Sequence, residues 1–173
     1  MIELEPQSQG WLNAAIAGNK LVSDLRLGIA IYYCKIVERE MASKLFQPFA
    51  EKYKATVQNE FDENIRDLQK SLQTGFMPGL GSMTHALRVA NRPNEHYDSK
   101  LLRTWRKYLD DLPEPQKSAV RSQEFIEDLF MLSNIRNRVA HLGDLTTDEF
   151  EKVRESVLDN QQPGSVLSLL GIN

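Results

Sequence analysis

The stretch QKSAVRSQEFIEDLFMLSNIRNRVAH, residues 116–141, has the spacing of apolar residues that is typical of a helix with one buried side. Its apolar side chains recur three or four residues apart, whereas a strand would alternate at every second residue. The side predicted to be buried consists of Val120, Phe125, Ile126, Leu129, Phe130, Leu132 and Ile135. We therefore predict a long helix that packs on other helices.

The other long segments show the same helical period, and none alternates as a strand would. Further helices are predicted over residues 8–17, 23–46, 51–73, 83–90, 100–112 and 146–158. Pro48 is expected to kink or end the second of them. The buried side of the third is predicted to consist of Val57, Phe61, Ile65, Leu68 and Leu72. The predicted fold is an all-α, mostly up-and-down helical bundle.

Polar residues between these segments match the signals that start helices. Ser82 is a predicted N-cap for the helix over residues 83–90, and either Asp98 or Ser99 is predicted to cap the next one. Thr146 and Glu149 have the spacing of a capping box before the last helix.

Length and composition favour one soluble domain. The 173 residues suit a single all-helical domain over 1–160, with 161–173 as a C-terminal tail or the start of a linker. A net charge of −3 disfavours a broad nucleic-acid-binding surface but allows a small basic site. The acidic N-terminus and the short apolar runs match neither a signal peptide nor a membrane span. We expect a cytoplasmic protein.

Arg136, Asn137 and His141 stand close together where the amphipathic pattern ends. Asn137 and His141 are four residues apart and share a helix face, with Arg136 about 100° away. Arginine can clamp phosphate oxygens, histidine can transfer a proton near neutral pH, and asparagine can orient either partner or hold a ribose hydroxyl. Such a set can cleave RNA without a metal, with the substrate's 2′-hydroxyl as nucleophile. In the alternative interpretation, cations merely complement the negative end of the helix dipole.

The motif R-N-R-V-A-H at 136–141, followed by a turn and a capped amphipathic helix, resembles the signature of the HEPN superfamily. HEPN domains are all-helical, and their motif is an arginine, often with a polar residue directly after it, and a histidine that follows after four to six intervening residues. Arg136, Asn137 and His141 match all three places. The similarity extends loosely over residues 20–160, but only the motif is specific.

This resemblance implies a metal-independent endoribonuclease that needs no cofactor and acts on RNA as a homodimer, with two motifs facing each other in one cleft. His141 would be the general acid or base, Arg136 the phosphate clamp and Asn137 the positioning group, while Arg138 would attract the RNA backbone. Members act in toxin–antitoxin, antiphage and RNA-processing systems, which would add an antitoxin or a regulatory protein as partner. The alternatives are a catalytically silent module for protein binding or dimerisation, and the N-terminal domain of a longer protein.

The resemblance also implies an acidic residue on the second helix that holds the motif arginine. At about 100° per residue, the apolar face of that helix centres on Ile29, Tyr33, Ile36 and Val37. Glu40 falls within this face, where a carboxylate needs a partner, whereas Glu38 points away. We expect a Glu40–Arg136 pair, with Glu38 as the second choice. In the alternative, Glu40 pairs with Lys44 one turn along.

A basic helix predicted at 100–112 is a second candidate for RNA contact. Arg103, Arg106 and Lys107 surround Trp105, a combination that can attract phosphates and stack on bases. The alternative is a solvated charged face with one buried tryptophan.

Other chemical groups do not form a recognisable site. His85, His96 and a single cysteine lack metal-ligand spacing, so we expect no metal. Cys34 stands among apolar residues and is expected to be a buried small side chain rather than a nucleophile. The glycine-rich segment at 74–82 follows a helix and lacks the lysine of a phosphate-binding loop, so a plain connection is expected there.

Overall fold

The computed structural model describes residues 5–19, 26–93, 98–142 and 145–158, together with Val166. These residues are helical or connect helices, and none of them is in a strand. The helices are α1 (Pro6–Asn19), α2 (Arg26–Met41), α3 (Gln47–Val57), α4 (Arg66–Thr74), α5 (Leu80–Ala90), α6 (Lys100–Asp110), α7 (Gln116–Arg121), α8 (Gln123–Leu142) and α9 (Thr147–Leu158). The predicted all-α class is confirmed. Ser23, His96 and the tail at 161–173, apart from Val166, lie outside the described residues.

α2 occupies the centre of the bundle. It packs on α1, α5, α8 and α9, and its predicted apolar face is buried. α5 in turn packs on α8, so closely that a β-carbon at Gly81 would lie 2.9 Å from Ser133 Oγ. This close approach brings the first turn of α5 beside the second half of α8. Within the described part of the chain, none of the helices is both long and apolar enough to cross a membrane.

A π-helical segment, Ala42–Phe46, joins α2 to α3. Pro48 stands in the first turn of α3, where it has no N–H to donate and its ring would crowd a carbonyl one turn earlier in a regular helix. The wider π turn relieves this crowding, and the Gln47 N–H donates to the Ala42 carbonyl five residues back. The helix therefore widens before Pro48 and continues to Val57 instead of ending.

The prediction of one continuous helix over 51–73 is wrong, because the helix is interrupted in the middle of this range. α3 ends at Val57, a 3₁₀ turn spans Glu63–Ile65, and α4 follows. Asp62 has extended backbone, and its carboxylate accepts a hydrogen bond of 2.9 Å from the Asn64 N–H. Such local bonds are how aspartate competes with a continuing helix. Phe61, which was expected in the core, is consequently 61% exposed.

The helix predicted over 116–141 is divided as well, at Ser122. This residue has extended backbone, and its hydroxyl accepts a hydrogen bond of 3.3 Å from the Phe125 N–H, which makes it the N-cap of α8. Phe130 was expected to be buried but is 47% exposed. The Arg88 guanidinium of α5 lies 5.0 Å from the centre of its ring, a cation–π contact that accounts for an aromatic ring on the outside.

The capping predictions have mixed outcomes. Ser99 caps α6, since its hydroxyl accepts a 3.0 Å hydrogen bond from the Leu102 N–H. The Thr146–Glu149 capping box is confirmed, with hydrogen bonds of 3.0 and 3.3 Å in the two directions. Ser82 is not an N-cap, because α5 already begins at Leu80 and the Ser82 hydroxyl donates to Asp67.

Candidate active site

The three motif residues lie in the last two turns of α8 and are open to solvent. The Arg136 side chain is 42% exposed, and Asn137 and His141 are both exposed. Ile135 and Val139, on the other side of the helix, are buried. The core therefore fixes the helix while the motif faces outward, where a ligand can reach it.

Arg136 is held from α2 by Glu38. Its Nη2 lies 3.7 Å from Glu38 Oε2, an ion pair, and its Nη1 donates a 3.1 Å hydrogen bond to Asn137 Oδ1. The same Glu38 oxygen accepts a 2.9 Å hydrogen bond from the Leu80 N–H, one of the free donors at the start of α5. One carboxylate thus ties together α2, α5 and the motif arginine.

The expected Glu40–Arg136 pair is wrong, and the second choice, Glu38, is the partner. Glu40 does face the core and its side chain is 0% exposed. Its Oε2, however, lies 3.6 Å from the Lys44 ammonium, and its Oε1 accepts a hydrogen bond of 3.3 Å from the Glu5 N–H. The buried acid is therefore compensated within the α1–α2 region.

The register between α2 and α8 explains why Glu38 reaches the arginine. The Cys34 thiol donates to the Leu132 carbonyl at 3.5 Å, and Glu38 and Arg136 lie one turn further along their respective helices. Both contacts advance by four residues on each helix, so α2 and α8 run side by side in the same direction here. Glu38 stands at the edge of the α2 face that meets α8.

Cys34 lies one turn below the ion pair and is buried, as expected. Burial raises the pKa of its thiol to about 12, against the opposing effect of the nearby Arg136 charge. A thiol with this pKa stays protonated near neutral pH, so Cys34 is a packed side chain and not a nucleophile.

Replacing Glu38 should therefore affect the motif, and replacing Glu40 should not. For the RNA cleavage that the resemblance implies, we expect Glu38→Gln to lower the rate by roughly tenfold, the effect of losing about 1.4 kcal/mol of positioning, because Arg136 loses its charged partner. The matched control Glu40→Gln removes an acid from the same helix but leaves Arg136 paired. Initial cleavage rates and circular dichroism of both variants would be compared. An equal loss of activity in both variants would show that the Glu38–Arg136 ion pair has no special role in cleavage.

Arg138 forms an ion pair with a residue of the last helix, α9. Its Nη2 lies 2.5 Å from Glu149 Oε1, while the other Glu149 oxygen completes the capping box with Thr146. The Arg138 hydrogen bond, followed by those from Thr146, lowers the pKa of Glu149 to about 2. Arg138 thus connects the end of α8 to the start of α9, and its charge is already balanced within the chain.

The Arg138–Glu149 pair should make the stability of the fold depend on pH. Because the folded pKa of Glu149 is below its ordinary value of 4.5, the pair stabilises the fold above that value and loses its effect as the pH falls toward 2. Near neutral pH, Glu149→Gln should lower the free energy of unfolding by about 1 kcal/mol or less, as for other exposed pairs.

The difference between wild type and Glu149→Gln should shrink between about pH 5 and about pH 3, as measured by urea denaturation. Glu155→Gln, an exposed position on the same helix, should match wild type throughout. A difference for Glu149→Gln that stays constant with pH would contradict the ionic origin of the effect.

The basic helix does not present the predicted RNA-binding set. Arg106 is buried, its guanidinium donates to the carbonyls of Ala90, Val89 and Arg92, and it forms an ion pair with Asp98. It therefore joins α6 to the end of α5, and the expectation that it binds RNA is not supported. Trp105 is buried, while Arg103 and Lys107 remain exposed.

In the described ranges, no group of three or more His, Cys, Asp or Glu side chains could hold a metal ion. His85 is exposed on α5. His96 lies outside the described residues.

An exposed stripe along α8 is a feature that the sequence reasoning missed. Phe130, Asn134, Asn137 and His141 are all exposed, and their spacings of four, three and four place them on one face. Phe130, predicted to be buried, belongs to this exposed face instead. The spacing of the polar residues after it was the available signal.

Compared with family models, with curated proteins and with solved structures, the chain matches none. Membership of the HEPN superfamily therefore stays a prediction that rests on the motif at 136–141.

Proposed function

We propose that this protein is a metal-independent endoribonuclease of the HEPN type, with Arg136, Asn137 and His141 as its catalytic residues. The observation that carries the proposal is the exposed motif at the end of α8, with Arg136 oriented from below by Glu38. A charged residue held by a second residue behind it is preorganised for a substrate, which is how sites stabilise developing charge.

The reaction uses the substrate's own 2′-hydroxyl. His141 accepts its proton as the 2′-oxygen bonds to phosphorus, or donates a proton to the departing 5′-oxygen as the P–O5′ bond breaks. Arg136 binds the non-bridging oxygens, where negative charge develops in the transition state. Asn137, which already accepts a hydrogen bond from Arg136, keeps the guanidinium fork in position. The products are a 2′,3′-cyclic phosphate and a free 5′-hydroxyl.

A homodimer would supply the positive charge that one copy of the motif lacks. Arg138, which is part of the motif segment, is already paired with Glu149 within the chain, so its charge is balanced in a single copy. Two-fold pairing would bring two copies of Arg136 and His141 into one cleft, and the exposed α8 stripe with Phe130 offers an apolar contact for it. A cytoplasmic toxin–antitoxin or antiphage role, with an antitoxin or regulatory protein as partner, fits this activity.

The test is cleavage of a mixed RNA pool by the purified protein in excess EDTA, with analysis of the product ends. We expect cleavage that leaves cyclic phosphates, and no cleavage of a substrate with a 2′-deoxy residue at the scissile position. Cleavage that stops in EDTA, or that proceeds without the 2′-hydroxyl, would overturn the mechanism.

A silent module for dimerisation or protein binding is the second candidate. The observation in its favour is the partly exposed Phe130 on a chain with a net charge of −3. A folded dimer that cleaves no RNA under any condition of the same assay would favour this function.

A further inference from the structure

An open cavity of about 540 Å³ has Glu38 among its lining residues. It is lined by α1, by α2 and its π-helical end, and by the segment that leads into α5. Its volume lies within the range of roughly 300–1,000 Å³ that is usual for small-molecule sites. Neither the motif nor the proposed reaction makes use of it.

The walls of the cavity provide flat apolar surface. Trp11 contributes from α1, and Met77 and Pro78 contribute from the segment before α5. All three are also packed in part against the protein, with Pro78 buried. A ligand body of similar flat, apolar character would remove the remaining surface from water.

Two cations from successive turns of α2 also line the cavity. Arg39 has a buried Nε that makes no hydrogen bond to any part of the chain that the structure describes. A buried donor without a partner is costly, so the described part of the chain leaves the hydrogen-bonding capacity of Arg39 partly unused. The ammonium of Lys35 lies 5.9 Å from the Trp11 ring centre and remains exposed.

The balance of charge limits the kind of anion that fits. Glu5 and Glu38 contribute two carboxylates to the lining, but Glu38 is balanced by Arg136. Among the lining residues that the structure describes, Lys35 and Arg39 are then opposed by Glu5, two positive charges against one negative charge. This excess of one positive charge suits a ligand with a single negative charge. A guanidinium group binds a carboxylate through two parallel hydrogen bonds.

We infer that this cavity is a binding site for a small organic monocarboxylate with a flat apolar body. Arg39 binds the carboxylate, with Lys35 in support, and Trp11 and Met77 hold the body. Because Glu38 lines the cavity and also holds Arg136, an occupant contacts the support of the motif. Such an occupant would regulate RNA cleavage, and this part of the inference rests on the proposed function. The binding itself does not depend on that function.

The two tryptophans make a direct binding test practical. Trp11 lines the cavity, whereas Trp105 lies in the core, where its indole N–H donates to the Ala86 carbonyl at 3.2 Å. Phenylacetate would be titrated into ¹⁵N-labelled protein, with Trp11→Phe used to assign the two indole signals. We expect a saturable shift of the Trp11 signal in the millimolar range and an unmoved Trp105 signal.

Neutral phenylacetamide should bind about tenfold more weakly, and Arg39→Gln should weaken phenylacetate binding by about the same factor, the effect of losing one charge-assisted contact. Arg103→Gln, an exposed arginine on α6, should bind as wild type does. The Trp105 signal reports whether each variant is folded. If Arg39→Gln does not fold, Arg39→Lys would replace it.

No saturable Trp11 shift, equal binding of the acid and the amide, or undiminished binding by the Arg39 variant would each overturn the inference. The RNA assay is separate, so a protein that binds phenylacetate but cleaves no RNA supports the site and rejects the nuclease.

Discussion

Replacing His141 with alanine should reduce RNA cleavage in EDTA by at least about a hundredfold, the lower end of what general acid–base catalysis contributes. His141 is the one motif side chain that can exchange a proton near neutral pH, and it lies exposed one turn from Asn137. Its removal should leave RNA binding largely intact, because Arg136 and Glu38 are untouched. The measurement is the single-turnover rate at saturating protein, beside a binding curve for a non-cleavable 2′-deoxy analogue.

His85→Ala is the matched control for this variant. His85 is likewise exposed, but it lies on α5 and outside the motif. It should cleave at the wild-type rate. If His141→Ala keeps more than about a tenth of the wild-type rate, His141 does not perform the expected proton transfer. If both histidine variants lose activity together, the effect is not specific to the motif.

Replacing Trp105 with alanine should lower the free energy of unfolding by about 3–5 kcal/mol, the usual cost of removing a large buried aromatic side chain. Trp105 is completely buried between α3 and α6, with its ring centre 4.9 Å from that of Phe46, 4.8 Å from that of Phe49 and 5.6 Å from that of Tyr108. The variant would lose these contacts and leave a cavity. Urea denaturation followed by circular dichroism measures the change.

Phe76→Ala provides the comparison, since this aromatic side chain is mostly exposed. It should change the free energy of unfolding by less than about 0.5 kcal/mol. A loss below about 1 kcal/mol for Trp105→Ala would mean that the cluster around Trp105 is not a well-packed core. The basic helix would then have to be reconsidered as a surface element with an accessible tryptophan.

The fold class could be predicted because helical spacing is a local property of the sequence. The spacing correctly predicted the apolar face of α2, which is buried at Ile29, Tyr33 and Ile36. It failed to predict the breaks at Ser122 and Asp62, because each depends on one polar side chain that accepts a hydrogen bond from a backbone N–H two or three residues further on. Neither interrupts the apolar pattern enough to be visible.

The motif itself was also predictable from the sequence, but the contacts of its residues were not. Exposure of Arg136 and His141 follows from their places near the end of an amphipathic helix. The partner of Arg136 depends on which residues of α2 meet α8, and helix-wheel angles favoured Glu40 because they describe α2 alone. The same holds for Arg106, whose carbonyl partners lie 13 to 17 residues earlier in the chain.

The two partners of Glu38 have a consequence for how Arg136 can meet a substrate. Glu38 Oε2 accepts a hydrogen bond from the Leu80 N–H as well as facing the arginine. The carboxylate therefore faces the first turn of α5 and its positive dipole end as well as the guanidinium. Its position is set by α2 and α5 together, so it stays in place whether or not a ligand contacts the solvent side of Arg136. Arg136 can therefore bind an anion while it keeps its partner on α2, without any rearrangement of the helices.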